Sequence, residues 1–208
     1  MLRTIFYNTG SNLLVMVIKL AITFIMTPIF VRSLGNYDYG IWEILGAIVG
    51  YMGLLDLGIK PAISRFAAKY TAEKGSDNLR LLYSSAFLFM GVIGLLIMSF
   101  FVLWGVFFPG LIAENSTDTQ RYTLLLIILG VQLLITFPAF VAESFFEGFQ
   151  KYYLKNNITI FNSIVGSLIL YFFITPTNGL ILLAGVNAIG FSIKYIILMW
   201  LLSRPGYG

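Results

Sequence analysis

The sequence predicts an all-α integral membrane protein, a single bundle of six transmembrane helices spread over 208 residues. Three observations predict it. The chain is 59% hydrophobic and only 11% charged, whereas a soluble domain is roughly a quarter charged. Its mean hydropathy is +0.90. The apolar residues fall into six runs, each close to the roughly 20 residues that carry a helix across a bilayer core. These runs lack the alternation of barrel strands, and a backbone in hydrocarbon must satisfy its polar groups within its own helix.

The spans run approximately over residues 10–32, 40–59, 81–108, 122–146, 157–174 and 179–202. The first follows MLRTIFYNTGSN and has neither the short core nor the small-x-small cleavage site of a signal peptide, so it reads as an uncleaved span. Pro28 and Pro138 predict kinks in the first and fourth spans. After the second span, PAISRFAAKYTAEK sets Ile63, Phe66, Ala67 and Tyr70 on one helical face, with Arg65, Lys69 and Lys74 elsewhere. That pattern predicts a short amphipathic helix in the membrane interface, with a solvated basic linker as the alternative.

Basic residues orient the bundle. A cytoplasmic N-terminus places Arg3, Lys60, Arg65, Lys69, Lys74, Arg80, Lys151, Lys155 and Arg204 inside, and leaves Arg32 and Arg121 outside with Glu114 and Asp118. Both termini are then cytoplasmic. The net charge of +4 sits in short loops beside apolar runs, which fits membrane lipids as partners and not nucleic acid. Cysteine and histidine are both absent. Disulfides, thiol nucleophiles and histidine acid–base chemistry or metal ligation go with them, so no metal site and no enzyme are expected.

Polar residues within the spans are the candidates for function, because an ionisable group in hydrocarbon costs roughly 2.5–3.5 kcal/mol and so faces a bundle interior or a wet cavity. In the first span Asn12, Lys19, Thr23 and Met26 lie near one face, with Lys19 about 10 Å from the inner end at 1.5 Å per residue. The second has a small-residue face of Glu43, Gly46, Gly50 and Gly53 suited to packing, and Asp56 lies off it. The fourth has a line of Gln132, Thr136, Ala139, Glu143 and Glu147; the fifth has Thr159, Asn162, Ser163 and Gly166; the sixth has Asn187, Gly190 and Lys194. Lys19, Lys194, Asn187, Asn162 and Gln132 are the candidate lining of a substrate cavity, and Glu143 and Asp56 are the candidates for ion coupling. Two cations and a carboxylate on different helices suit an anionic group, such as a phosphate. The competing structural reading is an internal ion pair of Lys194 with Glu143 or Asp56, and interhelical hydrogen bonding by the Asn, Ser and Thr side chains.

A resemblance enters at RSLGNYDYGIWEILGAIVGYMGLLDLGIKPAISRFAAKY, residues 32–70. Leu34, Gly35, Tyr39, Gly40 and Trp42 in the first external loop, then Leu55, Asp56 and Gly58 followed by Arg65, resemble the polysaccharide and O-antigen flippase (Wzx-type) branch of the MOP, or MATE-like, exporter superfamily. The resemblance implies a transporter of the bacterial cytoplasmic membrane that moves an undecaprenyl-diphosphate-linked oligosaccharide between leaflets. It would work by alternating access between two six-helix lobes, often with a proton or sodium gradient behind it and no other cofactor. It also implies that cationic residues of a central cavity, here Lys19 and Lys194, meet the diphosphate or acidic sugars. Members of that family have about twice as many spans, so this chain is expected to supply the first lobe. It is then a fragment, or it associates with a second lobe, a second copy or other polysaccharide-assembly proteins.

Three rivals remain at this stage. A MATE-type multidrug or cation antiporter would prefer acidic cavity residues to lysines. A membrane-embedded transferase would need a catalytic base and a richer external loop than this chain has. A non-transporting assembly subunit is compatible with a single lobe.

Overall fold

The computed structural model describes residues 2–52, 58–111 and 119–204. Six helices run in order: α1 Leu2–Met52, α2 Ile59–Ala72, α3 Ser76–Phe107, α4 Thr119–Gly148, α5 Tyr152–Phe173 and α6 Gly179–Leu202, with a 3-10 turn at Pro109–Leu111. Among the described residues, five helices are long and apolar enough to cross a membrane: α1 and α3 to α6. The chain is therefore an all-α multi-pass bundle.

The first two expected spans are not separated by a loop. They are two arms of α1, which stays helical through Pro28 and breaks only at Gly35 (φ 79°, ψ 168°). A positive φ is open to glycine and strained for other residues, so one residue does the work expected of the segment 33–39. Thr27 and Tyr39 would lie about 18 Å apart along an unbroken helix. Here both line the same cavity, so the arms fold back on each other.

α2 forms where a short amphipathic helix was expected. It starts at Gly58 (φ 80°) and ends with Lys74 in the left-handed region (φ 53°), where the Gly75 N–H reaches back to the Tyr70 carbonyl at 2.9 Å. That is a helix terminator in which a left-handed residue lets the next amide cap an orphan carbonyl. Its apolar face is divided between the bundle and the exterior. Ile63 and Ala67 are buried, while Phe66 stacks on Tyr70 at 5.9 Å and stays exposed. The reason is Gly148 at the end of α4: a Cβ there would lie 2.5 Å from the Ser64 carbonyl oxygen, so the two backbones touch.

α4 is the central helix, packed on α2, α3 and α6. Glycines bring α3 and α4 together along their length. A Cβ on Gly94 would meet the Leu134 backbone at 3.2 Å, one on Gly105 the Thr123 carbonyl at 3.3 Å, and one on Gly130 the Phe101 Cβ at 3.1 Å. Phe101, Leu125, Leu126, Phe137 and Val141 fill the core around them. α1 packs chiefly on α5 and more lightly on α6.

The two ends of the bundle differ in charge. At one end Asn8 Nδ2 donates to the Gln150 carbonyl at 2.8 Å, and Asn156 Nδ2 donates to Asn12 Oδ1 at 2.6 Å. This basic end carries Arg65, Lys69, Lys74, Arg80, Lys151, Lys155 and Arg204. At the opposite end the Tyr122 hydroxyl donates to Asp38 at 2.6 Å, and Arg121 pairs with the same carboxylate at 2.8 Å.

Candidate functional site

Both arms of α1, together with α5 and α6, enclose a cavity of about 420 Å³. The polar stripes of three helices converge on it: Lys19 and Thr23 from the first arm, Thr159, Asn162, Ser163 and Gly166 from α5, and Asn187, Gly190 and Lys194 from α6. One side of the cavity is open, since Lys19, Thr23 and Glu43 are exposed.

Its electrostatics are uneven. Lys194 forms an ion pair with Glu143 of α4 at 2.5 Å, the two side chains being 13% and 18% exposed. Nearer the basic end Lys155 pairs with Glu147. Lys19 has no ion pair among the described residues; the charges that act on it are Lys194, Glu143 and Lys155. Two carboxylates thus answer Lys155 and Lys194, and the third ammonium, on the open side, faces the cavity.

The neutral residues serve packing as well as lining. Asn162 Nδ2 donates to the Gly190 carbonyl, tying α5 to α6, and Gly190 is where such an approach fits, since a Cβ there would stand 3.3 Å from Asn162 Nδ2. Asn187 Nδ2 donates to the Leu183 carbonyl within its own helix at 2.9 Å. Each amide keeps a carbonyl oxygen whose lone pairs can accept from a ligand.

Other expected site residues lie elsewhere. Gln132 is buried and does not line the cavity; its Oε1 has no hydrogen-bond partner among the described residues. Thr136, next on the same stripe, donates to the Gln132 carbonyl at 2.8 Å. The α4 stripe therefore splits, its outer half packing and its inner half, Glu143 and Glu147, joining the lysines. Leu55 and Asp56 lie outside the described residues, as do Glu114 and Asp118. Of the anticipated small-residue face, added Cβ atoms at Gly46 and Gly50 contact nothing within 4 Å among the described residues, and Gly53 lies outside them.

The motif residues take structural and lining roles. Leu34 is buried and seats Gly179, where a Cβ would lie 2.5 Å from Leu34 Cδ2. Gly35 makes the break and Gly58 starts α2. Gly40 meets nothing, and Tyr39 and Trp42 line the cavity. Arg65 stands at the basic end beside Asn8, Asn12 and Glu147.

Sequence reasoning missed two groups. Glu43 lines the cavity and was assigned to helix packing, although Tyr39 one turn away is its hydrogen-bonding partner. The buried Asp38–Arg121–Tyr122 cluster was missed because Arg121 was counted only as an outer charge; an acid and a base on the same sparsely charged side were the available signal. Among the described residues no group of three or more metal-ligating side chains comes together.

No curated protein and no solved structure gives a significant match to the chain. A family model described as "Polysaccharide biosynthesis protein" matches residues 5–206, covering both arms of α1 and every later helix. A multi-pass helical bundle whose polar stripes meet in one lysine-lined cavity is, by that match, a member of the polysaccharide biosynthesis protein family.

Proposed function

We propose that the chain is a lobe of a flippase that passes an undecaprenyl-diphosphate-linked oligosaccharide across the bacterial cytoplasmic membrane, in the manner of the Wzx-type branch of the MOP superfamily. The observation that carries this reading is the convergence of Lys19 and Lys194 on one cavity, with only Lys194 ion-paired. A diphosphate supplies several charge-accepting oxygens, and charge-assisted hydrogen bonds to them are about twice as strong as neutral ones. Glu143 exchanges partners in this scheme. When a diphosphate takes Lys194, Glu143 is released to take a proton or a sodium ion, which links cargo to an ion gradient.

The open side of the cavity completes the picture. Lys19 and Glu43 facing hydrocarbon would cost roughly 2.5–3.5 kcal/mol each, so that side faces water or another protein surface, supplied by a second lobe or a second copy. The basic end is the cytoplasmic one by the bias of Lys and Arg toward that side.

The test is glycan export in a strain depleted of the protein and complemented with variants. Lys19→Ala and Lys194→Ala are expected to insert normally but to lower export at least tenfold, with lipid-linked oligosaccharide accumulating in the inner leaflet. Export at the wild-type rate by both variants overturns the reading.

A further inference from the structure

The cavity has a second end that the cationic pair does not account for. Tyr39, Trp42 and Glu43, all from the second arm of α1, line it opposite Thr27. Since the Tyr39 hydroxyl accepts from Thr27 and donates to Glu43, the antiparallel arms put Glu43 at about the level of Thr23, and Lys19 lies one helical turn, roughly 6 Å, further toward the basic end. No ion pair joins Glu43 to Lys19 among the described residues. Among the described residues Glu43 is the carboxylate that lines the cavity, and Glu143 stands behind Lys194 without lining it. Glu143 serves as the counter-ion of Lys194, whereas Glu43 is held by a tyrosine, is exposed to the cavity's open side and answers no lysine there. Among the described residues the basic side chains lining the cavity are Lys19 and Lys194, both at the other end.

Two aromatic side chains, a carboxylate and nearby amides form a surface suited to a sugar ring. The apolar face of a ring packs on Trp or Tyr, which carry broad apolar surface with a polar tip. Ring hydroxyls donate to a carboxylate in short charge-assisted bonds. A carboxylate in the same place repels an acidic sugar.

We infer that Tyr39, Trp42 and Glu43 form a sugar subsite that receives the ring joined to the diphosphate and selects a neutral or amino-bearing ring over a uronic acid. The inference rests on the flippase reading, because the lysine pair must first fix the diphosphate about one turn away. Trp42 supplies the packing face, Glu43 the hydroxyl acceptor and the charge filter, and Tyr39 positions Glu43.

The test measures binding of three probes to the full chain in nanodiscs: farnesyl diphosphate, farnesyl-diphosphoryl-N-acetylglucosamine and farnesyl-diphosphoryl-glucuronic acid. The wild type is expected to prefer the neutral sugar over the acidic one by about tenfold or more. Glu43→Gln is expected to reduce that preference to about threefold or less while leaving bare farnesyl diphosphate within about threefold, and Glu43→Asp, which retains the charge, is expected to keep it. A wild type that binds both sugars alike, or a Glu43→Gln variant that keeps the full preference, overturns the sugar subsite alone. Bare farnesyl diphosphate that fails to bind the wild type, or binds Lys19→Ala and Lys194→Ala as tightly as the wild type, overturns the flippase reading and the subsite with it.

Discussion

The α3–α4 half and the α1–α5–α6 half of the bundle are built by different physics. In α4, 61% of the most apolar stretch is buried, against 6% in α1 and 11% in α5. Glycines let α3 and α4 meet backbone to backbone, and close packing of this kind resists rearrangement because its contacts are many and short-ranged. The other half packs more lightly and carries polar links between helices, Asn162 to Gly190 and Asn156 to Asn12, while Lys194 reaches across to Glu143 of α4. Links of that sort can exchange partners one at a time. The comparison teaches that rigidity and ligand chemistry are assigned to different helices, with α4 serving both through its split stripe.

The largest effect should come from breaking the ion pair between Lys194 of α6 and Glu143 of α4. Lys194→Ala leaves Glu143 buried without its partner, which is expected to lower stability by about 3 kcal/mol. Adding Glu143→Gln should recover most of the loss. Thermal unfolding in detergent measures both, and a Lys194→Ala chain that melts with the wild type would mean the halves are not linked there. A somewhat smaller effect is expected from overfilling the packed half. Gly130→Leu forces a side chain against Phe101 and the Met98 backbone, at a cost of about 1–3 kcal/mol, whereas Gly50→Leu, which enters open space in the chain itself, should leave the melting temperature unchanged. Equal loss from the two would erase the contrast. The smallest change is Tyr122→Phe, which removes one of the two bonds to Asp38 and should cost about 1 kcal/mol, read from the same melting curves.

Much of this was legible before any coordinates. Hydropathy located the apolar segments, and helical spacing put Lys19, Asn162, Asn187 and Lys194 on faces that do meet in one cavity. A stripe specifies a face but not what covers it, and this is where the reading of α4 failed. Gln132 and Glu143 share a line, yet the first is buried away from the cavity while lysines of α5 and α6 pair with Glu147 and Glu143 at the other end. Glu43 was misassigned for the converse reason. Glycines beside it suggested packing, but the fold of α1 at Gly35 turned Glu43, with Tyr39 and Trp42, toward the cavity. Asp38 and Arg121 were out of reach of local pattern altogether, because their pairing joins the tip of α1 to the start of α4 across a sequence distance no periodicity spans.

The break at Gly35 also bears on how the cavity's second end is held. With a single glycine between them, the arms of α1 have no linker to let them move apart, so they form one helical hairpin whose tip bears Arg32 and Asp38. Arg121 and Tyr122 of α4 fasten that tip through the Asp38 carboxylate, so the placing of the cavity's second end depends on a contact made outside the cavity.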